Sequence, residues 1–201
     1  MTAAKRIFDL FWASFGLLIL SPFLAGVALA IKAEDGGPVF FRQERVGRNG
    51  RPFRIWKFRT MAVGAEQRGG QLTVGDDPRI TRVGGWLRKI KLDELPQLLN
   101  VLVGEMTFVG PRPEVPKYAA LYTPEQRQVL QLVPGITDPA SIRYRNESEI
   151  LAATADPERV YIEEVMPEKI AINLQYAARA SVWSDTLIIL KTLASLAFWG
   201  E

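Results

Sequence analysis

Twenty-two consecutive residues, Leu10 to Ile31, carry no charge, and a Ser-Pro pair sits near their middle. As one straight helix the run reaches about 33 Å, enough to cross a hydrocarbon layer of about 30 Å. Pro22 has no N–H, so the Leu18 carbonyl loses its helical partner, and Ser21 is pushed away from helical dihedrals. Inside lipid an unsatisfied carbonyl is costly. The Ser21 hydroxyl can reach back three or four residues and answer for it. The pair therefore makes a tolerable helix break, with a kinked spanning helix as the rival. Lys5 and Arg6 precede the run, and Lys32 and the arginines from Arg42 onward follow it. Positive charge on both sides suits two ends on one cytoplasmic face. Re-entry is the favoured reading. A cleaved secretory signal is disfavoured, because signal cores run only about 7 to 15 residues.

The rest of the chain is long enough for one domain with its own core. Across all 201 residues there is no cysteine and no histidine. Thiol nucleophiles, imidazole bases and the usual zinc ligands are thereby excluded. Chemistry must come from carboxylates, hydroxyls, lysine, arginine and a hard cation held by oxygen. The net charge of +3 conceals an asymmetry: residues 1 to 113 hold 17 basic against 10 acidic side chains, residues 114 to 201 hold 8 against 12. A basic first half suits anionic lipid, nucleic acid or a phosphorylated small substrate, or is simply a solubilising surface.

"PVFFRQERVGRNGRPFRIWKFRTM", residues 38 to 61, reads as a β-hairpin turning at Asn49-Gly50, the favoured type I′ pair. A glycine-rich polar loop follows. From Thr81, Val83, Trp86, Leu87 and Ile90 recur at helical spacing. A second helix is expected from about Asp93 to Val103, and helical stretches near 113 to 132 and 157 to 178. "VPGITDPASIRYRN" lies between them as loop or short extended structure. The closing segment from Ser181 is apolar, with only Asp185 and Lys191 charged before the final residue. Trp183, Phe198 and Trp199 stand near its ends. It suits either a membrane-surface helix or a core helix.

"WLRKIKLDELPQLLNVLVGEMTFVGPRP", residues 86 to 113, is the richest stretch. Asp93 is a natural N-cap, Glu94 favours the positive helix end, and Pro96 is tolerated in a first turn. That account of "DELP" is complete in itself. A functional reading stands beside it. Arg88, Lys89 and Lys91 lie just upstream, and Arg112 is clamped between two prolines. Two carboxylates among fixed cations can hold a phosphate and a divalent ion, and an ionised aspartate is a workable nucleophile toward phosphorus.

"KRIFDL", "SPF", "FRQERVGRNGRPFRIWKFRTM", "DDPRITRVGGWLRKIKLDELPQLLNVLVGEMTFVGPRP" and "VPGIT" occur in this order. With them the chain resembles the bacterial sugar transferases, the monotopic phosphoglycosyl transferases acting on polyprenyl phosphate. The likeness covers most of residues 4 to 146 and implies a minimal catalytic form. It implies transfer of a sugar-1-phosphate from a nucleotide diphosphate sugar, a UDP-sugar, to polyprenyl phosphate, with release of UMP. It also implies a covalent phospho-aspartate and Mg²⁺ at an Asp-Glu dyad, which falls here on Asp93 and Glu94. Phosphate-binding cations would fall on Lys57, Arg88, Arg112 and Arg145, and the family's membrane helix break on Ser21 and Pro22. After "PGIT" the family often continues Gly-Trp-Ala-Gln-Val, whereas Asp138-Pro139-Ala140-Ser141-Ile142 stands here, so sugar identity does not carry over.

The expected fold is α+β and mostly helical. Residues 1–33 form a re-entrant helix-break-helix in the membrane. Residues 34–201 form a cytoplasmic catalytic domain with a basic β-hairpin, amphipathic surface helices and an interfacial C-terminal helix. The expected location is the cytoplasmic face of a bacterial inner membrane. Expected partners are nucleotide sugar, polyprenyl phosphate and membrane lipid, not nucleic acid, with homodimerisation left open. The competing reading is a non-catalytic membrane-anchored module that binds anionic lipid or nucleic acid. Such a binder needs no carboxylate pair.

Overall fold

The computed structural model describes residues 1–65 and 77–197. Most of the glycine-rich loop, and Phe198 and Trp199, lie outside the described residues. The architecture is mostly helical α+β, with one long apolar helix and two small sheets.

Helix α1, Ala3–Asp35, starts at Thr2, whose hydroxyl accepts from the Lys5 N–H at 3.3 Å. It ends at Gly36, in the left-handed region (φ 71°) that closes helices readily. The break expected at Ser21-Pro22 does not interrupt it. The Ser21 hydroxyl donates to the Leu18 carbonyl at 2.8 Å, so the carbonyl deprived by Pro22 is satisfied within the helix. One stripe of α1 is covered: Asp9, Ala13, Val27 and Ile31 are buried. Phe11, Leu18, Ile19 and Leu29 on the other faces stay exposed.

Strands β1, Phe40–Val46, and β2, Pro52–Phe58, form the antiparallel hairpin, with Phe41 opposite Lys57. Asn49 (φ 58°) and Gly50 (φ 74°) both sit left-handed and Arg51 N–H bonds the Arg48 carbonyl, as a type I′ turn requires. Helix α2, Arg82–Lys89, begins where expected, with the Thr81 hydroxyl accepting from Gly84 N–H at 3.0 Å.

The next helix departs from expectation. A 3₁₀ segment, Leu92–Gln97, precedes α3, Leu98–Val103. Lys91, left-handed at φ 55°, turns the chain into it, so Asp93 lies inside the first turn and is not its N-cap. The turn at Lys91 starts the helix earlier than the "DELP" pattern indicates.

Strands β3, Thr107–Val109, and β4, Gly135–Thr137, pair in parallel. The expected helix over 113 to 132 is only α4, Pro116–Ala119, and a 3₁₀ turn, Gln126–Gln131. Pro124 between them removes an N–H and holds Thr123 out of the helical region. Asp138 caps α5, Pro139–Arg143, accepting from Ser141 N–H and Oγ. Then come α6, Glu147–Ala152, α7, Pro157–Val160, which runs through a π turn into α8, Met166–Ala177, and finally α9, Val182–Ala197. Helix α9 is two-sided: Asp185 and Ile188 are buried, whereas Trp183, Leu187, Leu190 and Leu193 are exposed.

Three apolar clusters hold these parts together. Ala13 packs with Phe53, Ile55, Leu98, Val101 and Met106. Val27 and Ile31 pack with Phe58 and Leu87. Tyr118, Tyr161, Met166 and Ile170 centre the third, among the later helices. Each large buried side chain contributes about 1.5–3 kcal/mol relative to exposure. Both halves of α1 therefore dock on the elements that flank the dyad.

Candidate active site

Two close backbone approaches place the charged groups. Helix α2 lies against the end of the hairpin because Gly84 has no side chain. A Cβ there would stand 2.1 Å from the Thr60 carbonyl oxygen. Thr81 N–H also bonds that oxygen at 3.0 Å, and Arg88 Nε donates to Thr60 Oγ1 at 2.8 Å. Arg112 follows β3, where Gly110 N–H bonds Thr137 O and Gly135 N–H bonds Pro111 O, each at 3.0 Å. A Cβ on Gly135 would be 2.1 Å from Gly110 N. The "FVGPRP" and "VPGIT" motifs are thus one structural unit. Arg45 Nη1 donates to Pro113 O at 3.1 Å and steadies the turn from the hairpin side.

Lys57 is set by Asn100, which is fully buried in α3. Its Oδ1 accepts from Trp56 N–H at 2.9 Å, and its Nδ2 donates to Arg54 O at 3.1 Å and Glu105 Oε2 at 2.7 Å. The strand so fixed lets Lys57 Nζ donate to Glu94 Oε1 at 2.8 Å. Arg112 completes the fork on Glu94, with Nη2 to Oε1 at 2.5 Å and Nη1 to Oε2 at 3.1 Å.

The two carboxylates of the pair differ sharply. Burial alone would raise Glu94, but the Arg112 and Lys57 charges and their hydrogen bonds hold it well below the usual carboxylate range. Asp93 is buried at 7% exposure, and among the described residues no group donates a hydrogen bond to its side chain. Burial, then the charge of Glu94, pushes its pKa up, against the pull of Lys57, Arg88 and Lys91. Burial likewise lowers the pKa of Lys57 and of Arg88. Glu94 is therefore a fixed anion, and Asp93 is the carboxylate with open lone pairs.

Asp93, Glu94, Lys57, Arg88 and Arg112 line one cavity of about 1340 Å³. Of the sequence-derived site residues, Lys57 and Arg112 meet on Glu94, and Arg88 stands within electrostatic reach of Asp93. Arg145 is exposed on the segment after α5. It lines the same cavity but, among the described residues, makes no bond to the dyad.

A family model described as bacterial sugar transferase matches residues 1–198. The chain belongs to the bacterial sugar transferase family. It is 38% identical over 197 residues to the UDP-glucose:undecaprenyl-phosphate glucose-1-phosphate transferase of Escherichia coli (strain K12), covering 94% of this chain and 39% of that protein. It is also 38% identical to the UDP-N-acetylgalactosamine-undecaprenyl-phosphate N-acetylgalactosaminephosphotransferase of Aeromonas hydrophila, covering 96% of this chain and 43% of that protein. The chain spans about two fifths of the length of these two relatives. With the exopolysaccharide production protein PSS of Rhizobium leguminosarum bv. phaseoli, identity is 40% and coverage is 95% of this chain and 94% of that protein.

In this member of the family, sequence reasoning missed Asn100, Arg45 and Thr60. Asn100 had a readable signal, because an asparagine among the apolar residues of a helix needs partners for its amide. Arg45 and Thr60 had none, since their partners are backbone and side-chain groups set by tertiary packing.

Proposed function

We propose that this chain transfers a sugar-1-phosphate from a UDP-sugar to polyprenyl phosphate through a covalent intermediate on Asp93. One observation carries the reading: an unpartnered buried carboxylate, Asp93, adjoins a carboxylate held anionic by Lys57 and Arg112, in a cavity with further cations. The names of the relatives supply the substrate classes.

In the first step an Asp93 Oδ attacks the phosphorus that bears the sugar. The bond from that phosphorus to the bridging oxygen breaks, and UMP leaves with the electron pair. In the second, a phosphate oxygen of the lipid attacks the same phosphorus. The bond to Asp93 breaks, and the carboxylate recovers its electrons. Lys57, Arg88 and Arg112 stabilise charge on the phosphate oxygens in both steps. An ionised carboxylate needs no base to activate it. Ping-pong kinetics follow, because the water-soluble donor product leaves before the lipid reacts.

The donor set suits a magnesium ion shared with substrate. Asp93 has open lone pairs, and Glu94 Oε2 accepts only one bond among the described residues, which leaves it a free lone pair. Magnesium is commonly held by one or two carboxylates together with substrate phosphates. Bound there, it would neutralise charge on the diphosphate.

We also propose that residues 1–33 enter the membrane and return by a bend of the continuous helix at Ser21-Pro22, leaving residues 34–201 on the cytoplasmic face of a bacterial inner membrane. Support comes from both ends of α1. Lys5 pairs with Asp185 and donates to Val109 O, while Glu34 accepts from Arg82 and Val83 N–H and Asp35 binds Arg59. A spanning helix would separate these ends by about 30 Å of hydrocarbon.

The test is trapping. Asp93→Asn should fold and bind membrane yet release no UMP, and label from a phosphate-labelled donor should accumulate on the unsubstituted protein when polyprenyl phosphate is withheld. No labelled protein, with initial rates that require a ternary complex, would overturn the covalent route.

A further inference from the structure

The cavity has an end that the dyad chemistry leaves unassigned. Beyond Lys57 and Asp93 it is lined by Phe41, Met61, Gly85, Lys89 and Lys91. Phe41 faces Lys57 across the hairpin, so both project to the same side of the sheet. Gly85 and Lys89 are one helical turn apart on α2 and share a face. A Cβ added at Gly85 would meet only Ile80 Cγ2, at 3.9 Å, so open space adjoins this wall. The flanking Phe40 and Trp86 are exposed.

Charge and continuity say what fits. Lys57 and Arg112 flank the dyad on Glu94 and serve the reacting phosphate there, Arg79 pairs with Asp77 and Arg59 with Asp35. Lys89 and Lys91 are exposed and make no ion pair among the described residues. The left-handed backbone of Lys91 places its charge where it acts on Asp93. Phe58 lines the same cavity and packs in one cluster with Val27 and Ile31 of the apolar helix α1. The wall thus passes from paired lysines to the surface proposed to lie in lipid.

We infer that the lipid acceptor, a phosphate monoester on an isoprenoid chain, reaches Asp93 through this α2 end of the cavity. Lys89 and Lys91 receive its phosphate, and Phe41, Met61 and the open flank of Gly85 take the first isoprene units. Tyr144 and Arg145, which line the same cavity from the segment after α5, remain for the nucleotide sugar. The inference rests on the transferase reading, and its test separates the two.

The full chain in detergent or nanodiscs is assayed with a labelled UDP-sugar in two ways. Exchange of labelled UMP into donor, without acceptor, reports the first half-reaction. Steady-state product formation against polyprenyl phosphate reports the acceptor KM. Gly85→Leu, which fills the open flank, and Lys89→Ala should each keep exchange within twofold and raise acceptor KM tenfold or more. If Gly85→Leu fails to fold, Lys89→Ala decides. Acceptor KM within twofold of wild type in the folded variants would overturn the inference. Absence of exchange in the unsubstituted protein would instead count against the covalent reading, while the acceptor KM still decides the entry route.

Discussion

Asn100→Ala is the most informative single change outside the dyad. Asn100 is fully buried and makes three hydrogen bonds that span α3, β2 and the turn at Glu105. Truncation strands the Trp56 N–H and the Arg54 carbonyl, at about 1 kcal/mol each, and removes a bond to a charged group, at about 1.5 kcal/mol. The lost packing is small, because only the amide is removed. The expected loss is about 3.5 kcal/mol, a large fraction of the stability of an ordinary domain. Because the strand it holds carries Lys57 onto Glu94, activity should fall as well. Denaturant unfolding in micelles, followed by tryptophan fluorescence, measures the first effect, and UMP release measures the second. Asn100→Asp keeps the acceptor for Trp56 N–H but sets a second carboxylate against Glu105, so it should rescue neither property. A loss under 1 kcal/mol in Asn100→Ala, with activity intact, would refute the assignment of Asn100 as the clamp of the hairpin.

Three further outcomes follow from the same geometry. Arg112→Lys keeps the charge but loses the two-pronged bond to Glu94, and should lower kcat/KM about tenfold or more, or about 1.4 kcal/mol; activity within twofold would reduce Arg112 to a packing residue. Gly135→Ala drives a Cβ to 2.1 Å from the Gly110 nitrogen, so thermal unfolding should show at least the roughly 1–3 kcal/mol of an overpacked site. Lys5→Ala leaves Asp185 buried and short of its cation, and should cost about 3–5 kcal/mol. The double change Lys5→Met with Asp185→Leu should recover most of that loss, and its failure to do so would show that the pair does more than neutralise itself.

The legible parts of this molecule are those whose cause is local. Asn49-Gly50 demands two left-handed residues, and the turn has them. Thr81 offers an oxygen to a free N–H three residues on, and α2 begins there. The charged pair at 93 and 94 was readable because two adjacent carboxylates follow Arg88, Lys89 and Lys91 in a chain without cysteine or histidine. What was illegible depends on partners far along the sequence. Asp185 reads as a polar interruption in an apolar helix, yet it is the buried partner of Lys5, 180 residues away. The parallel pairing of β3 with β4 leaves no periodic trace in two three-residue strands.

Asp93 shows a subtler failure. Its N-cap assignment was locally sound, since aspartate, glutamate and proline in that order open many helices. The backbone of Lys91 moved the start of the helix upstream and left Asp93 without the N–H that a cap would engage. A carboxylate engaged as a cap would have its lone pairs committed to backbone, whereas the one found here keeps them for another atom. The site thus uses a residue type favoured at helix starts, two residues past the N-cap position and so too late to serve as one. The same backbone change that defeats the local rule also makes Asp93 available for chemistry.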